Sequence, residues 1–201
     1  SSPHNPVGRI HTREELTAIA ELSNKYNAYV ISDEIHAPLT YDEKKFVPYL
    51  SIPAAQRRGI MVTSSSKAFN FAGLKAAIIV SQNEEMFEEL NAMPEANHWR
   101  ASLLGGFAMA KAFADGDKWL AETMAQLDHN RKLVKDLLAK YLPAAKYVIP
   151  ECSYLAWIDI SCLGLGDGAS DYLIEHKKVA FNPGTEFGDQ YGAYIRLNFA
   201  T

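Results

Sequence analysis

An α/β fold is the architecture this sequence predicts, on three observations. Helical and strand-like runs alternate along the chain, chemically capable side chains fall on loops just past the strands, and 48% of the 201 residues are hydrophobic. That apolar content and length suffice for a sizeable core in one or two compact units.

The first helix is predicted over residues 12–27, where Leu16, Ile19, Ala20 and Leu22 form an apolar stripe and Thr12-x-x-Glu15 supplies a capping box. Short β-branched runs at 28–32, 59–63 and 76–81 read as strands. Helices are predicted at 84–91 and, rich in small residues, at 102–113, followed by the break Asp115-Gly116-Asp117. Residues 119–141 read as one long amphipathic helix that stops before Pro143. A strand at 154–160, a glycine-rich turn, a helix at 169–177 and a strand at 193–199 complete the pattern. We expect a domain boundary near Gly116, with residues 1–115 in one unit and 116–201 forming a linker helix and a smaller α+β unit. No internal repeat or low-complexity tract is present.

The chemistry concentrates around Lys67, whose amine follows a strand on a small-residue loop, Ser64-Ser65-Ser66-Lys67. Asp33 and His36 lie just past another strand, and in open α/β sheets ligands occupy the crevice at the carboxyl ends of strands. Asn5 sits in a tight turn, Asn5-Pro6-Val7-Gly8, ahead of the first helix. An amine for an aldehyde, a carboxylate for a pyridinium nitrogen, donors for a phenolic oxygen and hydroxyls with a cation for a phosphate are the groups that pyridoxal 5'-phosphate requires. Lys67, Asp33, Asn5 with His36, and Ser64, Ser66 with Lys75 offer them in that order.

These motifs, with Tyr194-Ile195-Arg196-Leu197-Asn198, resemble the fold type I pyridoxal-phosphate enzymes of the aspartate aminotransferase superfamily. The resemblance covers nearly the whole chain and implies part of a large cofactor-binding domain followed by a smaller α+β domain. It makes Lys67 the residue bonded to the cofactor and the later proton carrier at the substrate α-carbon. Asp33 then pairs with the pyridine nitrogen, Asn5 bonds the phenolic oxygen, and Ser64 with Lys75 holds the phosphate. Arg196 grips the substrate α-carboxylate, a bidentate task suited to guanidinium.

Two positions depart from the aminotransferase pattern: His36 stands where a tyrosine is common, and Lys75 where a phosphate-binding arginine is common. Lysine keeps the charge but loses the fork. Together with Asp33-Glu34-Ile35-His36, the segment from Ser153 to Asp159 and that from Val179 to Gly188, they resemble cystathionine β-lyases of the MalY and PatB type. That resemblance implies elimination of a thiol from cystathionine or another cysteine S-conjugate, with pyruvate and ammonia as the other products. An aminotransferase is the alternative, and a regulatory protein-binding role on the same fold a second one. The family also implies a homodimer. Its members are considerably longer, and the half bearing a glycine-containing phosphate loop has no counterpart here, so the chain reads as a C-terminal fragment, inactive by itself, with uncovered apolar surface.

A formal charge of −4 and a pI near 5.9 give no basis for a nucleic-acid or acidic-membrane partner. No apolar run approaches membrane-spanning length and no signal peptide is visible. Cys152 and Cys162 lack the spacing of a metal or disulfide framework and read as two buried or half-buried free thiols of a cytoplasmic protein. Asp33 and Glu34, adjacent on a strand, point to opposite sides, so no metal site is expected there. The stretch Gly164-Leu165-Gly166-Asp167-Gly168 lacks the dinucleotide fingerprint and reads as a surface turn. Tyr154 and Trp157, in an alternating strand, read as core and cleft wall.

Overall fold

The computed structural model describes residues 1–200. Its contacts divide the chain into two units: Ser1–Pro3 with Ile10–Glu122, and His4–Arg9 with the residues from Thr123 onward. The division falls inside a long helix, and the Asn5 turn belongs to the second unit.

In the first unit, helix α1 (Arg13–Lys25) begins at the capping box: Glu15 N–H donates to Thr12 Oγ1 at 3.2 Å and Thr12 N–H to Glu15 Oε2 at 2.8 Å. The helix ends two residues short of the sequence expectation because Asn27 turns left-handed, at φ 54°. Its buried face, Leu16 and Ala20, packs on Tyr49, Leu50, Ile52 and Ala55, with Val30, Met61 and Val80 at the margin. Strand β1 (Val30–Asp33) runs parallel to β2 (Gly59–Thr63), with Asp33 opposite Val62. Strand β3 (Ile78–Ser81) closes the other side of β2 antiparallel. β3 starts later than the predicted 76–81 because the carbonyl of Ala76 is taken by the Ser64 hydroxyl, at 2.5 Å, rather than by a ladder partner.

Four helices follow. Helix α2 (Glu84–Asn91) is capped by Asn83 and α4 (Leu103–Asp115) by Ser102, with the short α3 (Glu95–His98) between them. Helix α5 (Asp117–Tyr141) carries the chain across the unit boundary. Phe69 stacks on Trp119 at 5.7 Å and meets Phe113 edge-on at 5.7 Å, which anchors the loop after Lys67. Trp99, just past α3, and Leu103, Leu104 and Phe107 of α4 are strongly exposed apolar residues.

The second unit is built on a four-stranded antiparallel sheet in the order β4-β5-β7-β6, from β4 (Lys146–Tyr147), β5 (Leu155–Asp159), β6 (Asn182–Pro183) and β7 (Tyr194–Asn198). The two-residue strands β4 and β6 carry too short a pattern to be read from sequence. Helix α6 (Ala169–Tyr172) continues as a wider turn over Leu173–Lys177, covering the predicted 169–177. Register places Trp157 opposite Arg196 and Asp159 opposite Tyr194 on one face, while Ile158 and Ile195 face the other way. In α5, buried Arg131 donates to Asp128 Oδ1 at 2.7 Å and to the carbonyl of Pro150 at 2.9 Å. Among the described residues no helix is long and apolar enough to cross a membrane.

Candidate functional site

The first unit gathers six of the expected site residues around one end of the β1–β2 pair. Because the strands are parallel, both carboxyl ends open on the same edge. Asp33 closes β1 as an exposed residue, its carboxylate accepting, among the described residues, only the N–H of Ile35, at 3.1 Å. Its neighbour Glu34 points inward, as strand alternation requires, and accepts from Tyr49 N–H at 2.8 Å and Ser32 Oγ at 3.0 Å. Burial pushes the Glu34 carboxyl upward, and these donors oppose that shift. His36 follows on the same loop, buried, at the start of a short 3-10 turn over Ala37–Leu39.

Past the end of β2, the serine loop folds on itself. Ser64 Oγ donates to the Ala76 carbonyl, Ser66 N–H donates to Ser64 Oγ at 3.0 Å, and the two hydroxyls lie 2.7 Å apart. Ser64 has a single proton, committed to Ala76, so the half-buried Ser66 hydroxyl is the donor in the 2.7 Å contact and aims its own proton at Ser64 Oγ. Phe69 N–H reaches back to Ser65 O at 2.9 Å and Phe71 N–H to Ser66 O at 3.1 Å, winding a turn on which Lys67 is held half-buried. Lys67 makes no hydrogen bond or ion pair with the described residues. Lys75 is exposed and sits at φ 52°, a left-handed corner fixed by Ser102 N–H donating to its carbonyl at 3.0 Å.

The second unit holds Asn5 and Arg196. The Asn5 turn is closed by Gly8 N–H to His4 O at 2.7 Å and His4 N–H to Arg9 O at 2.8 Å, and Glu151 N–H ties it down through Gly8 O at 2.8 Å. Arg196 Nη1 donates to Asn5 Oδ1 at 3.0 Å and Nη2 to Asn182 Oδ1 at 2.9 Å. The guanidinium carbon lies 5.0 Å from the centre of the Phe187 ring, and that ring meets Trp157 edge-on at 5.2 Å. Arg196 Nε is buried with no hydrogen-bond partner among the described residues.

The aminotransferase class I and II family profile matches residues 1–201. The chain belongs to that family. A Mycobacterium tuberculosis relative is 39% identical over 217 residues, covering 100% of this chain and 53% of its own length. The cystathionine β-lyase of Corynebacterium glutamicum is 33% identical, covering 99% of this chain and 53% of that protein. Among solved structures, the PLP-bound C-S lyase of Staphylococcus hominis superposes with a TM-score of 0.90 at 31% identity, over 100% of this chain and 52% of that one. The chain thus spans about half the length of the relatives it matches. The α/β fold expected from the sequence is the fold of this family.

Sequence reasoning passed over Asn182 and Phe187, although both lie in the 179–188 segment. The signal was available only through pairing: a two-residue strand puts Asn182 opposite Arg196, and a turn brings Phe187 against the same side chain.

Proposed function

We propose that the whole protein is a pyridoxal-phosphate-dependent carbon-sulfur β-lyase, which cleaves cystathionine or another cysteine S-conjugate to a thiol, pyruvate and ammonia. The observation that carries this reading is an uncommitted amine, Lys67, on the same strand edge as an exposed carboxylate, Asp33. Support comes from relatives named for cystathionine or C–S cleavage along the entire chain.

The residues present fit the cofactor. Asp33, exposed and nearly unpartnered, would keep a proton on the pyridine nitrogen. Ser66 and Lys75 would hold the phosphate, Ser66 by turning its hydroxyl proton away from Ser64 Oγ, with Ser64 bracing the loop through Ala76. The amide of Asn5 accepts from Arg196 through its oxygen, so its NH2 group is left to donate, as a phenolate oxygen requires. His36, three residues past Asp33 on the same loop, would reach the phenolic oxygen. When bound, pyridoxal phosphate supplies the electron sink that makes an amino-acid α-proton removable.

This chain's residues do the rest. Lys67 Nζ would attach the cofactor and, once displaced by the substrate amine, take the proton from the substrate α-carbon. Arg196 would bind the α-carboxylate through both terminal nitrogens and so orient the substrate. A substrate with a sulfur on its β-carbon then loses that sulfur as a thiolate, whereas an aminotransferase would return the proton and pass the amino group on. We further propose that the whole protein works in the cytoplasm as a homodimer.

The test is to supply the full-length protein with pyridoxal phosphate and cystathionine and follow pyruvate and free thiol, with and without a 2-oxo acid. Both products without an acceptor are expected. Turnover only when the acceptor is added would overturn the lyase reading in favour of transamination.

A further inference from the structure

We infer that Asn182 is a positioning residue for carboxylate recognition: a neutral amide that aims the Arg196 fork without spending its charge. The inference rests on the proposal that Arg196 binds the substrate α-carboxylate, and it deepens that proposal.

Asn182 and Arg196 are register partners across β6 and β7, so their side chains leave the same face of the sheet next to one another. The amide can face Arg196 in only one sense. Its oxygen accepts from Arg196 Nη2 at 2.9 Å, and its nitrogen donates to Glu186 Oε2 at 3.3 Å. Reversing it would set an NH2 group against a guanidinium and an oxygen against a carboxylate, two repulsive contacts in place of two attractive ones. Glu186 thereby locks the amide, and the amide keeps the Glu186 charge off the guanidinium.

A donor count shows what this achieves. Guanidinium has five N–H groups. Asn5 takes one on Nη1, Asn182 takes one on Nη2, and the Nε hydrogen is shut in the interior. One N–H remains on each terminal nitrogen, the pair that a carboxylate accepts as a fork. The Phe187 ring beneath the guanidinium restricts its tilt. With Asn182 removed, the group could swing about its bond to the side-chain stem while pivoting on Asn5, and the two free donors would no longer point together.

The charge state of the residue is the discriminating property. An aspartate here is the same size and offers an oxygen to Nη2 but sets its second oxygen against the Glu186 carboxylate, so a role confined to holding the fold would cost amino acid and amine binding alike in either variant. As a positioning residue for an anion site, Asn182 must be neutral, because a carboxylate on Nη2 competes with the substrate's own.

The experiment uses the full-length holoenzyme with two probes: the amino-acid substrate, and its amine analogue lacking the α-carboxylate, whose binding is read from the change in cofactor absorbance. For Asn182→Ala we expect KM for the amino acid to rise about tenfold with kcat changed less than threefold, the loss of one charge-assisted hydrogen bond. For Asn182→Asp we expect a rise of about a hundredfold. Amine affinity stays unchanged in both. Equal loss of amine affinity, or Asp tolerated better than Ala, overturns the inference. An Arg196→Ala control separates the two levels. If it abolishes the preference for amino acid over amine while the Asn182 variants leave that preference intact, only the Asn182 inference fails. If it leaves the preference intact, the carboxylate role of Arg196 fails and takes the inference with it.

Discussion

Replacing Gly8 by alanine tests how the second unit holds the Asn5 turn. Gly8 sits at φ 67°, a left-handed conformation, and a Cβ built there would lie 2.3 Å from Pro150 Cβ and 3.1 Å from the Cys152 carbonyl. Neither neighbour can retreat easily. Pro150 is buried and its carbonyl is held by Arg131 at 2.9 Å, while Glu151 N–H grips Gly8 O at 2.8 Å. The left-handed backbone and the forced overlap together should destabilise the fold by about 2–4 kcal/mol. Urea unfolding of the full-length apoprotein, followed by tryptophan fluorescence, gives the difference from the midpoint shift at a common slope. Gly73→Ala is the control: nothing lies within 4 Å of a Cβ there and its φ is not left-handed, so it should change stability by less than about 0.5 kcal/mol. A Gly8→Ala loss below about 1 kcal/mol, or one no larger than the control, would refute the reasoning.

Two further outcomes follow from burial and charge. Cys152 is fully buried and its thiol is pushed up to about 12, chiefly by burial, whereas Cys162, expected from the sequence to be at least half-buried, is exposed on the turn after β5. Brief iodoacetamide treatment of the native protein, mapped by mass spectrometry, should label Cys162 and spare Cys152 until denaturant is added; equal labelling would contradict the placement. The Asp159 carboxyl is held down at about 2, first by hydrogen bonds from Ser161 and then by Lys146, whose ammonium lies 3.1 Å away. Because this carboxyl is depressed in the folded state, its contribution is present above pH ~4 and lost as pH falls toward 2, on the order of 1 kcal/mol after solvent screening. Asp159→Asn should flatten stability against pH across that window, and an unchanged acid limb would count against the pairing.

How much of this was legible in the sequence varies with the range of the interaction. The capping box at Thr12 and Glu15 and the strand at Gly59–Thr63 follow from local pattern, and both are present. The opposed directions of Asp33 and Glu34 follow from strand alternation alone. Other features depend on residues distant in sequence. The commitment of the Ser64 proton to Ala76 cannot be seen in a run of serines, and it shortens β3 at the same time. Nor could local pattern attach the Asn5 turn to Arg196, 191 positions away, or show Asn182 on the other side of the guanidinium. Periodicity identifies elements of ordinary length; two-residue strands and cross-strand side-chain contacts lie below its reach.

The central claim is that Lys67 is the point at which the cofactor is attached. The most direct measurement is to incubate the full-length protein with pyridoxal phosphate, reduce it with borohydride so that any link to a lysine becomes permanent, and map the modified peptide. The account predicts one modified lysine, Lys67, and loss of the cofactor's visible absorbance in Lys67→Ala. Modification spread over exposed lysines, or concentrated at another residue such as Lys75, would contradict it.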